Sequence, residues 1–343
     1  MNKYPKILVV GPSWVGDMVM AQSLFIALKN SHPGCQIDVL APAWTLSLLE
    51  TMPEVSKAIA ISLPRGKFGL MARIKLGLSL RSEGYDQAIL LPNTWKSALT
   101  PFFANIPIRT GYLGECRWGL LNDIRKLDKR VLTMTVQRFV ALGLPLDAPL
   151  PPVCPQPALS ISQDRQQAVI EQFKLALNTA SVNILALCPG AEYGPAKRWP
   201  AQYYADVARH KIAQGWQVWL FGSAKDQADA AQINSETSGR CTDFTGRTSL
   251  AEAVDLMSLA TAVISNDSGL MHVAAALNKK VIAIYGSSDP DFTPPLNDKA
   301  HIISLNLDCA PCFKRECPLG HSQCLTGIMP EQVLDAMSRD SNV

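Results

Sequence analysis

Short apolar runs alternate with longer amphipathic stretches along this chain, and that order commits it to parallel sheets covered on both faces by helices. Runs at 7–10, 36–40, 58–61 and 87–91 have the length of strands, and helical spacing of apolar residues marks 18–29, 46–51 and 70–81 between them. The alternation stops at 145–157, where PLDAPLPPVCPQP holds six prolines. Neither a helix nor a central strand accepts so many missing N–H groups, so this segment reads as an extended linker. Beyond it the pattern restarts, with apolar runs at 182–187, 217–221, 262–265 and 281–285 and helical stretches at 201–214, 225–235, 250–259 and 269–277. The expected fold is α/β, with two doubly wound, Rossmann-like domains, 1–150 and 151–343, facing a central cleft at the carboxyl ends of their strands. A last amphipathic stretch, 330–337, is free to pack back on the first domain.

No apolar run approaches the roughly 20 residues that span a bilayer, and the opening residues lack a signal-peptide core. The expected location is the cytoplasm. Net charge is only +3, but it is unevenly spread. Residues 1–150 carry 17 Lys and Arg against 10 Asp and Glu, and 65–130 alone carry 12 against 5. The first half should therefore attract an anionic partner. Nucleic acid is disfavoured, because the basic stretch has no aromatic-and-basic recognition motif.

Five turns carry residues that could serve chemistry, and the four in the second half suit a nucleotide. After the first strand, Gly11-Pro12-Ser13-Trp14-Val15-Gly16-Asp17 has the glycine spacing of a phosphate loop but an Asp where Lys is required, and the dinucleotide fingerprint is absent as well. What remains is a carboxylate at a helix start, which is either a cap or a general base. Ser265-Asn266-Asp267-Ser268-Gly269-Leu270-Met271-His272 joins a strand to a helix whose small first residues admit an anion to the backbone N–H groups. His272, one turn on, either faces that pocket or sits in the core. In 188–200, Lys197 and Arg198 bring positive charge suited to a departing diphosphate. Asp226, after the strand at 218–221, suits ribose hydroxyls, and the turn at 245–250, with Thr248, suits the base.

Nine cysteines, an odd count, argue against a disulfide framework. Four of them, Cys309, Cys312, Cys317 and Cys324, lie close together, but only the first pair has the usual spacing of a zinc ligand pair. The expectation is a reduced, packed loop without metal.

Taken in order, ILVVGPSWVGDMVMAQSL, LLPNTWKSAL, PGAEYGPAKRWP, SNDSGLMHVAAAL and CAPCFKREC make the chain resemble the ADP-heptose:lipopolysaccharide heptosyltransferases, bacterial GT-B glycosyltransferases, over nearly its full length. The resemblance implies inverting transfer of L-glycero-D-manno-heptose from ADP-heptose to the first heptose of a lipid A-bearing inner core, at the cytoplasmic face of the inner membrane. By resemblance Asp17 is the catalytic base and Lys197 the phosphate and sugar ligand. Asp267, Ser268, Gly269, Leu270 and His272 match the donor segment, and Thr248 the adenine region, while 222–226 departs from the family's ribose contact. Phosphates on the acceptor would give Arg65, Lys67, Arg73, Lys75, Lys96 and Arg109 a partner. The chain is expected to act as a monomer with no required cofactor, a divalent ion serving at most as a stimulant. A nucleotide-sugar epimerase and a non-enzymatic nucleotide-binding protein are the alternatives on the same fold.

Overall fold

A computed structural model describes residues 4–61, 68–176 and 183–339. It divides into two compact units, Met1–Pro157 and Ala158–Val343. In the first, six parallel strands, β1 (Lys6–Val10), β2 (Gln36–Pro42), β3 (Lys57–Ile61), β4 (Gln87–Leu90), β5 (Ile108–Tyr112) and β6 (Asp123–Arg125), lie in the order β3-β2-β1-β4-β5-β6. In the second, β7 (Ile184–Cys188), β8 (Gln217–Leu220), β9 (Thr242–Asp243), β10 (Ala262–Asn266), β11 (Lys280–Tyr285) and β12 (Ala300–Ser304) lie in the order β12-β11-β10-β7-β8-β9. Counted from its own first strand, each sheet runs 3-2-1-4-5-6, the doubly wound order of dinucleotide-binding folds.

Strand burial follows position in the sheet. The central strands β7 and β10 are buried along their whole length, which is why they read as unbroken apolar runs. The sequence pattern misses β5, β6, β9 and β12. Of these, β6, β9 and β12 are edge strands, half-buried or mixed along their length, and β5 (IRTGY) carries an Arg, a Thr and a Gly. Three helices, Trp95–Phe103, Thr135–Leu142 and Gln163–Gln172, are likewise additions to the sequence reading.

Unit 1 is built around the Val15–Ser31 helix, whose Met18, Leu24 and Phe25 are fully buried. It packs against Thr135–Leu142, where Gly143 comes so near that a Cβ would stand 2.4 Å from Leu24. At the amino end of this sheet, Lys6 bonds Glu83 at 2.6 Å, and the buried Asp38 accepts the Tyr85 hydroxyl at 2.6 Å. Lys57 and Lys6 together hold the Glu83 carboxyl down at about 2.

In unit 2 the core gathers Leu185, Leu187, Ile264, Ile282 and Ile284 with Trp199 and Tyr204. Each such side chain contributes on the order of 2 kcal/mol of burial. The Pro330–Ser338 helix adds Val333, Ala336 and Met337 to this same core, and Lys280 donates to the Met337 carbonyl at 2.7 Å. This last stretch therefore packs on the second unit, because its apolar face has partners on β11 and the Ala201–Ala213 helix. The proline-rich segment forms no helix or strand, and Leu146 and Val153 within it are 78% and 92% exposed.

Candidate functional site

Strand order in unit 2 reverses between β7 and β10, which lie side by side with Ser265 opposite Cys188. Connections leave the two strands toward opposite faces, so a crevice opens beyond their carboxyl ends. The segments that meet there are 189–199 after β7 and 266–272 after β10. One fully buried amide joins them. Asn266 Oδ1 accepts from the Trp199 N–H at 3.0 Å and the Tyr204 hydroxyl at 3.1 Å, and Nδ2 donates to the Pro189 carbonyl at 2.6 Å.

That clamp brings the Lys197 ammonium into an ion pair with the Asp267 carboxylate, both side chains mostly buried. Lys197 Nζ also lies 5.1 Å from the centre of the Tyr193 ring, and the Arg315 guanidinium lies 5.3 Å from it. Asp267 precedes the Gly269–Ala276 helix. Ser268, in extended conformation at its N-cap, does not cap it; its Oγ instead lies 3.2 Å from Ser265 Oγ. Ser268, Gly269 and Leu270 are only half-buried, so the first-turn N–H groups and the helix dipole are within reach of an anion.

Arg198 points elsewhere. Its guanidinium pairs with Asp226 at 2.8 Å and Asp229 at 2.7 Å, so its fork is filled by two carboxylates rather than turned toward a phosphate as the sequence suggested. Asp226, expected at ribose, is also committed. Its Oδ2 accepts from the Ser223 N–H at 2.9 Å and hydroxyl at 2.7 Å, and its Oδ1 from Arg198. It is an anchor of its loop, and it packs so closely on Gly190 that a Cβ there would lie 2.4 Å from the carboxyl carbon. Thr248 donates to the Phe244 carbonyl at 3.4 Å, in a turn fixed by Gly246 at φ +68° and by the Ser249–Glu252 capping box of the next helix.

His272 is buried, and burial lowers its pKa to about 4, against the opposing pull of Asp267. It is neutral at physiological pH and belongs to the core as much as to the pocket.

In unit 1 the corresponding reversal falls between β1 and β4, where Val10 stands opposite Leu90. Asp17 occupies the third position of the Val15–Ser31 helix, half-buried, and the N-cap is Trp14. Its carboxylate lies in the favourable field of the helix start without being the cap. Trp14, Trp44 and Trp95, at the carboxyl ends of β1, β2 and β4, are all more than 40% exposed. The segment after β4 is held by Arg117, which is fully buried and donates to Pro92 O at 2.8 Å, Asn93 Oδ1 at 3.1 Å and the Tyr112 carbonyl.

Among the basic residues assigned to an acceptor, Lys75 is exposed and Lys96 half-buried. Arg73 is spent on the carbonyls of Phe68 at 3.0 Å and Lys96 at 3.3 Å. Arg109 is spent on Leu120 O at 2.7 Å and Ile106 O at 2.6 Å. Both guanidiniums close loops through two of their nitrogens. Arg65 and Lys67 lie outside the described residues. Sequence reasoning passed over Asn266, Arg117, Tyr193 and Arg315. Only Asn266 carried a signal, a polar side chain ending a buried apolar strand.

Comparison with known proteins points one way. Residues 73–323 match glycosyltransferase family 9 (heptosyltransferase). The chain is 46% identical to lipopolysaccharide heptosyltransferase 2 of Escherichia coli K12 over 344 residues, covering 97% of each protein. It is 47% identical to the Salmonella typhimurium enzyme of the same name over 343 residues, again 97% of each. The solved structure of E. coli ADP-heptose lps heptosyltransferase II superposes with a TM-score of 0.82 at 43% identity, covering 97% of both chains.

Two outcomes test this geometry. Asn266→Leu keeps the branched shape but strands the Pro189 carbonyl and the Trp199 N–H, leaving the Tyr204 hydroxyl only the Cys188 carbonyl at 3.3 Å, so urea unfolding should show a loss of about 3 kcal/mol; a wild-type midpoint would remove the clamp. His272 binds a proton more readily unfolded than folded. Its contribution is therefore complete above about pH 6.5 and fades as pH falls toward about 4. His272→Gln should unfold with a shallower pH dependence across that window, by up to about 3 kcal/mol.

Proposed function

The chain belongs to glycosyltransferase family 9, the heptosyltransferases, and is a glycosyltransferase; from that premise we propose that it performs the reaction of heptosyltransferase II. It moves L-glycero-D-manno-heptose from ADP-heptose to the first heptose of a lipid A-bearing inner core, with inversion at the anomeric carbon. The observation that carries this reading is the placement of Lys197, paired with Asp267, beside the accessible start of the Gly269–Ala276 helix at the switch point of the second sheet.

A diphosphate fits that arrangement. The helix start offers N–H donors and a fixed positive dipole, and Lys197 can share its protons between Asp267 and a phosphate oxygen. Asp267 tempers the charge of the empty site and orients the ammonium. In the transfer step an acceptor hydroxyl oxygen attacks the anomeric carbon, and the bond to the ADP oxygen breaks with its electron pair leaving on the β-phosphate. Asp17 takes the hydroxyl proton. One displacement, with attack opposite the leaving group, inverts the carbon. Lys197 and the helix end stabilise the charge that grows on ADP, and these protein groups carry the electrostatic work.

Ser268, Gly269 and Leu270 are assigned to the diphosphate, Thr248 to the adenine side, and Arg198 and Asp226 to holding the loop that carries Lys197. On the acceptor side the assignment keeps Lys75 and Lys96, whose side chains no loop of the basic stretch engages among the described residues. The acceptor is lipid-anchored, so the enzyme works peripherally at the cytoplasmic face of the inner membrane, as a monomer. No helix among the described residues is long and apolar enough to cross that membrane.

ADP release from ADP-heptose, with and without an acceptor bearing one inner-core heptose, tests the reading. Release should require the acceptor; conversion of the donor sugar alone would make the chain an epimerase, and ADP binding without turnover would make it a binding protein. Asp17→Asn is expected to keep donor affinity within about twofold while turnover falls by about 1,000-fold or more. Retained turnover would remove Asp17 as the base. Lys197→Ala should weaken donor binding and lower kcat together, each by about tenfold or more. Unchanged kinetics would confine Lys197 to its ion pair.

A further inference from the structure

The segment from Cys309 to Ser322 has no regular secondary structure, and most of its side chains face solvent, Phe313 at 51% and Leu319 at 61% exposure. So little apolar burial cannot fix a loop of this length, because ordering each residue costs roughly 1–2 kcal/mol. Yet the loop is docked at defined points on the segment that carries Lys197. Ala196 N–H donates to the Arg315 carbonyl at 3.0 Å, and the Tyr193 hydroxyl to the Phe313 carbonyl at 2.7 Å. Phe313 N–H reaches the Ser287 carbonyl at 2.7 Å.

Something other than a hydrophobic core must hold this loop, and the cysteines are placed to do it. Cys309, Cys312, Cys317 and Cys324 all line one small pocket, together with His321 and Ser287. None of the four is in a disulfide. The turn after Cys317 folds back so that the Ser322 N–H lies 3.4 Å from the Cys317 sulfur, a donor suited to thiolate rather than thiol. Ser287 is 1% exposed, and its hydroxyl, in the wall of the same pocket, has no hydrogen-bond partner among the described residues. The Ser287 hydroxyl is thus an unmet polar group in the wall that the four unbridged thiols share.

We propose that Cys309, Cys312, Cys317 and Cys324 bind one thiophilic divalent cation, of the class of Zn²⁺, as a structural site that fixes the loop against the Tyr193–Lys197 segment. Soft sulfur ligands select such ions over Mg²⁺ or Ca²⁺, and four of them complete a tetrahedral shell at about 2.3 Å per bond. As they stand, the described residues include no group of three or more His, Cys, Asp or Glu side chains arranged to hold a metal ion, so binding requires the four cysteine side chains to change rotamer around the pocket they line. Each thiol that ligates gives its proton to solvent, and no electron is transferred. The existence of the site does not rest on the proposed transfer reaction. Its consequence does: the ion would steady the loop that bears Lys197.

The test uses the full chain, purified under reducing conditions without chelator. Elemental analysis should find close to one zinc or iron per chain, and Co²⁺ exchanged into the site should give the intense thiolate-to-metal absorption of sulfur ligation. The double variant Cys312→Ser, Cys324→Ser should fall below about a tenth of the wild-type metal content, while Cys116→Ser, an exposed cysteine outside the pocket, keeps it. Should the double variant not fold, wild-type protein answers instead: chelation should expose four further thiols to a thiol reagent, and added Zn²⁺ should protect them again. Metal-free wild type with no cobalt band, full thiol reactivity indifferent to Zn²⁺, or an intact mass showing disulfides between these cysteines would each overturn the site.

Discussion

The second unit's pocket depends on a single buried amide. Asn266 ends the strand that supplies Asp267 and the anion-binding helix, and all three of its hydrogen bonds run to β7's loop or to the helix that follows it. Parallel strands hold their backbones in register through the ladder, but nothing in a ladder fixes the loops beyond its ends. A side chain with both a donor and an acceptor can tie two such loops at once, where a carboxylate or an apolar residue could not. The proximity of Lys197 and Asp267 follows from that tie.

Charge in the pocket is arranged by pairing more than by accumulation. Lys197 faces Asp267, and Arg198 faces Asp226 and Asp229. A guanidinium with two carboxylates on its fork is a rigid strut, whereas a lysine with one carboxylate has donors left to redirect. Adjacent residues in the sequence thus play different parts, one in structure and one toward a ligand. His272, neutral through burial, adds no charge, so the local positive field comes from the helix dipole, Lys197 and the Arg315 guanidinium across the Tyr193 ring.

The first unit uses the same strand order with a different lining. Arg117, Arg73 and Arg109 all spend their guanidiniums chiefly on backbone carbonyls of neighbouring loops. A basic excess counted along the chain therefore overstates the charge offered to a partner. What is presented at the carboxyl ends of β1, β2 and β4 includes three exposed tryptophans and the half-buried Asp17.

Periodicity sufficed for two doubly wound sheets, since a buried parallel strand must be apolar along its length and a covering helix must be amphipathic. The strand-end motifs around Asp17, Lys197 and Asp267 were legible for a related reason: a glycine-rich turn after a buried strand has few roles but to approach a ligand or start a helix. The edge strands β6, β9 and β12 were not legible, because a half-covered strand has no strong pattern to display. Nor could the sequence tell Arg198 from Lys197, or a loop-closing Arg73 from an exposed Lys75. Those distinctions are made by which carbonyl or carboxylate lies within about 3 Å, and that is set by contacts between residues distant in the chain. The cysteines are the sharpest case. Their spacing alone favoured a packed, reduced loop, and only the folding of 309–324 onto β11's end brought four sulfurs and a buried hydroxyl around one space.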